Sequence, residues 1–302
     1  MLSNRKIRLS LRKIIVTAGS IFHIKFGEYV IYIGKEILLK RLIRPILERC
    51  APGQLFRYRI RKRGKYEPET DLLEYLITPD ELSIDIGANA GYFAYFILKH
   101  TNKVLAFEPN PFLVSSLRRV LGKQIDIEQI ALSDRSGTAI LSIPISSGQK
   151  TSMLASIEPG NPLTRNGNAY KTEVPTRILD DYQFEKVGFI KIDVEGHELA
   201  VLRGAQELLR RDRPSLLIES EERHKHGAIE DMRLFLTGLG YKGFFLINRK
   251  ITPIEEFSLT EHQKLSKTSE RDSNSESVYI NNFIYVARED IIQKLADWNN
   301  RN

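Results

Sequence analysis

The chain has 302 residues, 42% of them apolar and 27% charged, which reads as globular and excludes a disordered polymer. Its single cysteine, Cys50, excludes an intramolecular disulfide and a zinc site built from several thiolates, and fits a reducing, cytoplasmic setting. The net charge of +7 conceals a split, because residues 1–65 hold 17 Lys and Arg against 3 Asp and Glu, leaving the rest of the chain at −7.

A basic arm on an acidic body concerns partners, not fold: nucleic acid, anionic lipid, an acidic substrate or the body itself. The longest apolar run in the arm, Ile14–Ile24, is too short to span a bilayer, which takes roughly 20 apolar residues. No small-x-small cleavage site follows it convincingly, which argues against a secretory leader. Residues 5–49 are predicted to be mainly helical, since Ala18, Phe22, Phe26, Tyr29, Ile33 and Ile37 recur every three or four positions. The stripe suits a helical extension packed on protein. Arg5, Lys6, Arg8, Arg12 and Lys13 also keep a peripheral contact with anionic membrane open.

The segment 56–66, F-R-Y-R-I-R-K-R-G-K-Y, alternates apolar and basic side chains and predicts a half-buried strand. A helix is expected over 69–77. From residue 82 short apolar strands and helices alternate: strands at 82–86, 103–108, 125–132, 189–194, 215–220, 241–247 and 283–287, helices at 92–99, 111–121 and 198–209. That order predicts an α/β fold with a doubly wound, mostly parallel sheet. Residues 144–172, rich in Ser, Gly, Pro and Asn, suit a loop over the site, and 258–277 a polar surface excursion. The expected organisation is a basic extension over 1–66, a catalytic domain over 67–290 and a tail over 291–302.

Three segments carry chemistry. D-I-G-A-N-A-G (85–91) turns from a strand into a helix; Asp85 points to the ligand side of the sheet, Gly87 permits a sharp turn and Gly91 a close approach. With Asn89 and Tyr92 in place, it is not the dinucleotide fingerprint G-x-G-x-x-G, which argues against a nicotinamide-dependent dehydrogenase. Glu108 ends the next strand at the distance where an acidic side chain holds a ribose diol. K-I-D-V-E-G-H-E (191–198) sets Asp193, Glu195, His197 and Glu198 at another strand-to-helix turn. A zinc-protease H-E-x-x-H is excluded because position 201 is Val201.

Taken with F-E-P-N-P (107–111), A-L-S-D (131–134), L-D-D (179–181), V-L-R-G-A (201–205), P-S-L-L-I-E (214–219) and N-N-F-I-Y-V (281–286), these segments resemble the FkbM-type family of S-adenosylmethionine-dependent methyltransferases over about residues 69–287. The resemblance implies a class I methyltransferase, Rossmann-like fold with a seven-stranded sheet, S-adenosyl-L-methionine as cofactor and methyl transfer to a hydroxyl oxygen. It implies that Asp85, Gly87, Asn89 and Gly91 shape the pocket for the methionine end, Glu108 binds ribose, and Ala131, Leu132 or Asp134 lies near adenine. Asp193 would stand beside the transferring methyl, with Glu195, His197 and Glu219 as neighbours. His197 is the obvious base, with Asp193 orienting it or taking the proton itself.

His224 and His226 follow Glu219 and read as a solvated loop. No spacing demands a metal, although Asp193, Glu195 and Glu219 could admit a divalent cation. The expected acceptor is a small polyol, glycan or glycolipid precursor, and the expected setting is cytoplasmic, with the arm at a membrane surface. Two other readings stay open. A nucleic-acid methyltransferase would use Arg57, Arg59, Arg61, Lys62 and Arg63 on phosphates; the acidic body and the lack of an N-P-P-Y-like segment count against it. A scaffold protein that kept the fold without the chemistry is opposed only by the intact Asp85, Glu108 and Asp193.

Overall fold

The protein, seen in a computed structural model, is described over residues 21–26, 29–34, 50–62, 67–146, 149–150, 155–158, 169–263 and 279–301. It divides into two compact units, Met1–Arg63 and Gly64–Asn302.

In the first unit, β1 (Ile21–Phe26) and β2 (Tyr29–Gly34) form an antiparallel pair with Phe26 opposite Tyr29. The helical expectation for 5–49 is corrected there. Both runs are dominated by β-branched and aromatic residues, whose strand preference prevails over the spacing of the stripe. The rest of 5–49 lies outside the described residues. Over Pro52–Lys62 the chain is helical (α1), not the strand expected across 56–66. Pro52 suits a first helical turn, and Leu, Arg and Lys favour helix. Half-buried Leu55, Phe56, Arg59 and Ile60 recur at helical spacing. The period-two alternation was incidental.

The second unit begins with a 3₁₀ turn, Pro68–Leu72, running into α2 (Leu73–Leu76). Next come β3 (Leu82–Ile86), α3 (Tyr92–Ile97), β4 (Val104–Phe107), α4 (Pro111–Leu121) and β5 (Asp126–Glu128). α4 starts where expected, with Pro111 in its first turn and the Asn110 side chain accepting the Phe112 N–H at 3.0 Å. The strand expected over 125–132 is two strands. β5 joins the main sheet, while β6 (Ala131–Leu132) joins a second sheet with β7 (Gly137–Ser146), β8 (Gln149–Lys150) and β9 (Ala169–Arg177), in the order β6-β9-β7-β8. The ends of the loop expected over 144–172 are therefore strands; within it, 147–148, 151–154 and 159–168 lie outside the described residues.

The chain then returns through β10 (Val187–Ile192), α5 (Glu198–Arg203), α6 (Gln206–Asp212), β11 (Ser215–Glu219) and α7 (Ala228–Gly238). β12 (Lys242–Ile247), β13 (Lys250–Pro253), α8 (Leu259–His262), β14 (Asn282–Val286) and α9 (Glu289–Arg301) complete it. The single helix expected over 198–209 is broken because Gly204 packs directly on another loop: a Cβ there would lie 2.0 Å from the Ser133 carbonyl oxygen.

The main sheet has the order β13-β12-β14-β11-β10-β3-β4-β5, parallel from β11 to β5 and antiparallel at β14, β12 and β13. Seven strands follow the expected doubly wound arrangement; β13 adds an eighth by hairpin pairing with β12. β4, β10 and β14 are buried along their whole length, and β3 and β11 apart from one end residue, as apolar strands covered on both faces must be. The tail expected over 291–302 belongs to the domain, since α9 buries Ile291, Leu295 and Trp298. Trp298 meets Tyr75 edge-on and donates to the Arg249 carbonyl at 3.1 Å.

Candidate active site

β3 and β10 are adjacent and parallel, so their carboxyl ends open into one crevice, and the residues after each strand meet there. Gly87 has φ +78°, and a Cβ on it would lie 1.8 Å from the Asp193 carbonyl oxygen, so no other residue fits without moving the backbone. Asp193 N–H donates to Ile86 O at 2.9 Å, and the Gly87 and Ala88 N–H groups both donate to Phe107 O. Gly91, also at positive φ, caps α3.

Asn89 donates its backbone N–H to Glu108 Oε2, and Asn110 donates its own to Oε1, each at 2.8 Å. Glu108 is thereby fixed at the foot of a cleft of about 570 Å³, open mouth included, and burial pushes its carboxyl up to about 7. Gly87, Asn89, Glu108, Asp193, Glu195 and His197 line this cleft, with Ala131 and Leu132 on its apolar side. Asp85 lies beneath the turn, 2% exposed, and Glu219 stands behind Asp193; neither is among the lining residues. Asp134 is exposed and outside the lining, and meets the site through Ser133.

The loop after β10 is kinked, with Glu195 at φ 55° and Gly196 at φ 102°. Gly196 N–H donates to Glu198 Oε1 at 2.8 Å. Burial, followed by repulsion from Glu219, raises the Asp193 carboxyl well above its ordinary value. Burial lifts Glu219 to about 7, and its Oε1 accepts from Asn281 Nδ2 at 2.7 Å. Burial also lifts Asp85 to about 6, against the pull of Lys191.

His197 reaches the cleft with both ring nitrogens engaged. Nδ1 lies 2.7 Å from Glu158 Oε2 and Nε2 2.9 Å from Ser133 Oγ. The carboxylate requires a proton on Nδ1, so in the neutral ring Nε2 accepts from the serine hydroxyl. Glu158 also pairs with Lys225 Nζ at 2.8 Å, and its neighbour Ser156 donates to the Glu195 carbonyl at 2.8 Å. The segment 155–158 thus forms one wall of the cleft. No short motif announced Glu158, because it lies in a Ser- and Gly-rich stretch.

His224 is not the solvated residue expected. It is buried 2.8 Å from Glu195 Oε2, and despite burial, which alone would lower it, Glu195 and Glu221 raise it to about 9. His226 is exposed, as expected. Among the described residues, no group of three or more His, Cys, Asp or Glu is placed to hold a metal ion. No helix among them is long and apolar enough to cross a membrane.

A family model described as the methyltransferase FkbM domain matches residues 85–242. "Methyltransferase 1" of Beauveria bassiana is 27% identical over 149 residues, 42% of this chain and 59% of that protein. The hexuronic acid methyltransferase AglP of Haloferax volcanii is 30% identical over 154 residues, 47% of this chain and 58% of that protein. The chain thus spans about three-fifths of the length of these relatives. A solved FkbM methyltransferase from Methylobacillus flagellatus aligns over 72% of this chain and 50% of its own, at 14% identity and a TM-score of 0.44.

Proposed function

Because the chain belongs to the FkbM methyltransferase family, we propose that this cleft moves a methyl group from S-adenosylmethionine to a hydroxyl of a small polyol, glycan or glycolipid precursor. The observation that carries the reading is Glu108, a buried carboxylate held by two backbone amides and facing the cleft opposite Asp193. A carboxylate keeps acceptor capacity beyond two amide bonds, so Glu108 suits a ribose diol. The close-packed turn at Gly87 fixes the Asp193 backbone at the cleft. The buried Asp85, beneath the turn, sets an acidic group under the pocket for the methionine end. S-adenosylmethionine supplies a methyl on a sulfonium that leaves readily.

The remaining work falls to the chain. Holding an acceptor oxygen in line with the methyl contributes roughly 7–11 kcal/mol. Asp193, at the cleft surface, takes the hydroxyl proton, and burial, by raising its pKa, makes it a stronger base than an ordinary carboxylate. His197, fixed by Glu158 and Ser133, shapes the wall beside it. The hexuronic acid methyltransferase among the relatives supports a sugar acceptor. We place the protein in the cytoplasm, with the basic arm meeting anionic membrane.

Calorimetric titration with S-adenosylmethionine and S-adenosylhomocysteine, with NAD as control, tests the cofactor. Saturable binding of the first two and none of NAD is expected; a folded protein that binds neither would refute the reading. Labelled-methyl transfer to hexuronic-acid glycans, neutral glycans and RNA then tests the acceptor, with incorporation into glycan expected.

A further inference from the structure

Lys191 is 0% exposed and plays no part in the chemistry above. Register explains where it lies. It pairs with Asp85 across β10 and β3, and with Leu217, two residues before Glu219, across β10 and β11. Glu219 in turn pairs with Asn282 across β11 and β14. Paired residues, and those two apart, share a sheet face, so Asp85, Lys191, Glu219 and Asn282 form one row beneath the cleft. Asp193, two residues beyond Lys191, continues the row into the cleft. Lys191 Nζ donates to Ile192 O at 3.2 Å and to Asn282 Oδ1 at 3.4 Å, lies 4.0 Å from Glu219 Oε2 and sits 4.7 Å from the centre of the Phe93 ring.

The other charged groups here are acidic apart from His224. Glu69, with Glu67 near it, faces Lys191 from the 3₁₀ turn. Glu195 and Glu198 act on Asp193 from the following loop and helix, and His224 offsets Glu195 from the far side. Taking an ammonium out of water is costly before it is paired, and a methionine would fill much of the same space. A charge at this position therefore acts on its neighbours electrostatically.

We propose that Lys191 is a positioning residue whose buried ammonium, in one row with Asp193, favours the Asp193 carboxylate, so that the cleft discriminates the sulfonium of S-adenosylmethionine from the neutral thioether of S-adenosylhomocysteine. This rests on reading the cleft as the cofactor site. Burial and Glu219 push the Asp193 proton on, and Lys191 pulls it off. Without Lys191 the carboxylate forms only at higher pH.

The test is calorimetric affinity for both ligands from pH 5.5 to 9. In the wild-type protein the ratio of the two affinities should rise with pH through a midpoint. In Lys191→Met that midpoint should move up by about one unit or more, a tenfold smaller ratio at a fixed pH below it; Lys191→Arg should keep it near the wild-type value. A uniform loss of affinity with an unmoved midpoint would mean a packing role and overturn the proposal, as would an equal shift in Lys191→Arg. Should Lys191→Met not fold, Lys191→Met/Glu219→Gln removes both partners and is compared with Glu219→Gln. The same upward shift between those two supports the proposal, and coincident midpoints overturn it. Binding of both ligands with a pH-independent ratio defeats this inference alone; binding of neither defeats the cofactor reading with it.

Discussion

Glu108 and Asp193 face one cleft with different tasks, and substitution separates them. Glu108→Ala removes a buried charged acceptor, and charge-assisted bonds contribute roughly 1.5–3 kcal/mol each, so cofactor Kd should rise by about ten- to a hundredfold in calorimetry. Asp193→Asn keeps the shape and removes the base. Transfer at saturating cofactor should fall by about 10²–10⁴-fold, with Kd changing far less. The reverse pattern would exchange their roles. Much of the cleft's lining was legible: Gly87, Glu108 and Asp193 each end or follow a strand, and strand ends are visible as short apolar runs. Glu158 and Lys191 were not. Glu158 depends on a tertiary approach from a segment without periodicity, and Lys191 reads as an ordinary strand lysine until register puts Asp85 beside it.

At the scale of elements, the strongest constraint is the contact between the turn after β3 and the loop after β10. Gly87→Ala must place a Cβ on the Asp193 carbonyl at a φ that alanine resists, so destabilisation of about 2 kcal/mol or more is expected in denaturant titration. α9 gives a second test. Trp298→Ala should cost roughly 3–5 kcal/mol, which would be an excessive loss for a tail. The alternating strands and helices of 82–121 were readable because each run is short, apolar and bounded by Gly or Pro. The β1–β2 pair and α1 were misread where two periods compete: a three-to-four spacing lay over β-branched residues, and a period of two lay over good helix formers. Nothing local could show that Asp126–Glu128 and Ala131–Leu132 enter different sheets.

At the scale of the molecule, charge placement sets a pH response. Asp85, Glu108 and Glu219 have folded-state values raised by burial to about 6, 7 and 7. The folded state therefore binds more protons than the unfolded state between about pH 4 and 7, so their stabilising share is present at low pH and is lost as pH rises through 6–7. Glu219→Gln removes one such cost and should raise Tm by a few °C at pH 8, with less effect at pH 5, in thermal scans. The doubly wound order of the sheet was apparent from the sequence, but the hairpin partner β13 was not, because Lys250–Pro253 is too short to declare itself. The fit of Gly87 against Asp193 has one more consequence. Two walls of the cleft are backbone pressed on backbone, and so behave as a fixed jaw. The wall at 155–158 is tied to that jaw by side chains, Ser156 to the Glu195 carbonyl and Glu158 to His197 and Lys225. Such ties can break one at a time, so this wall is the part of the cleft held by the weaker bonds.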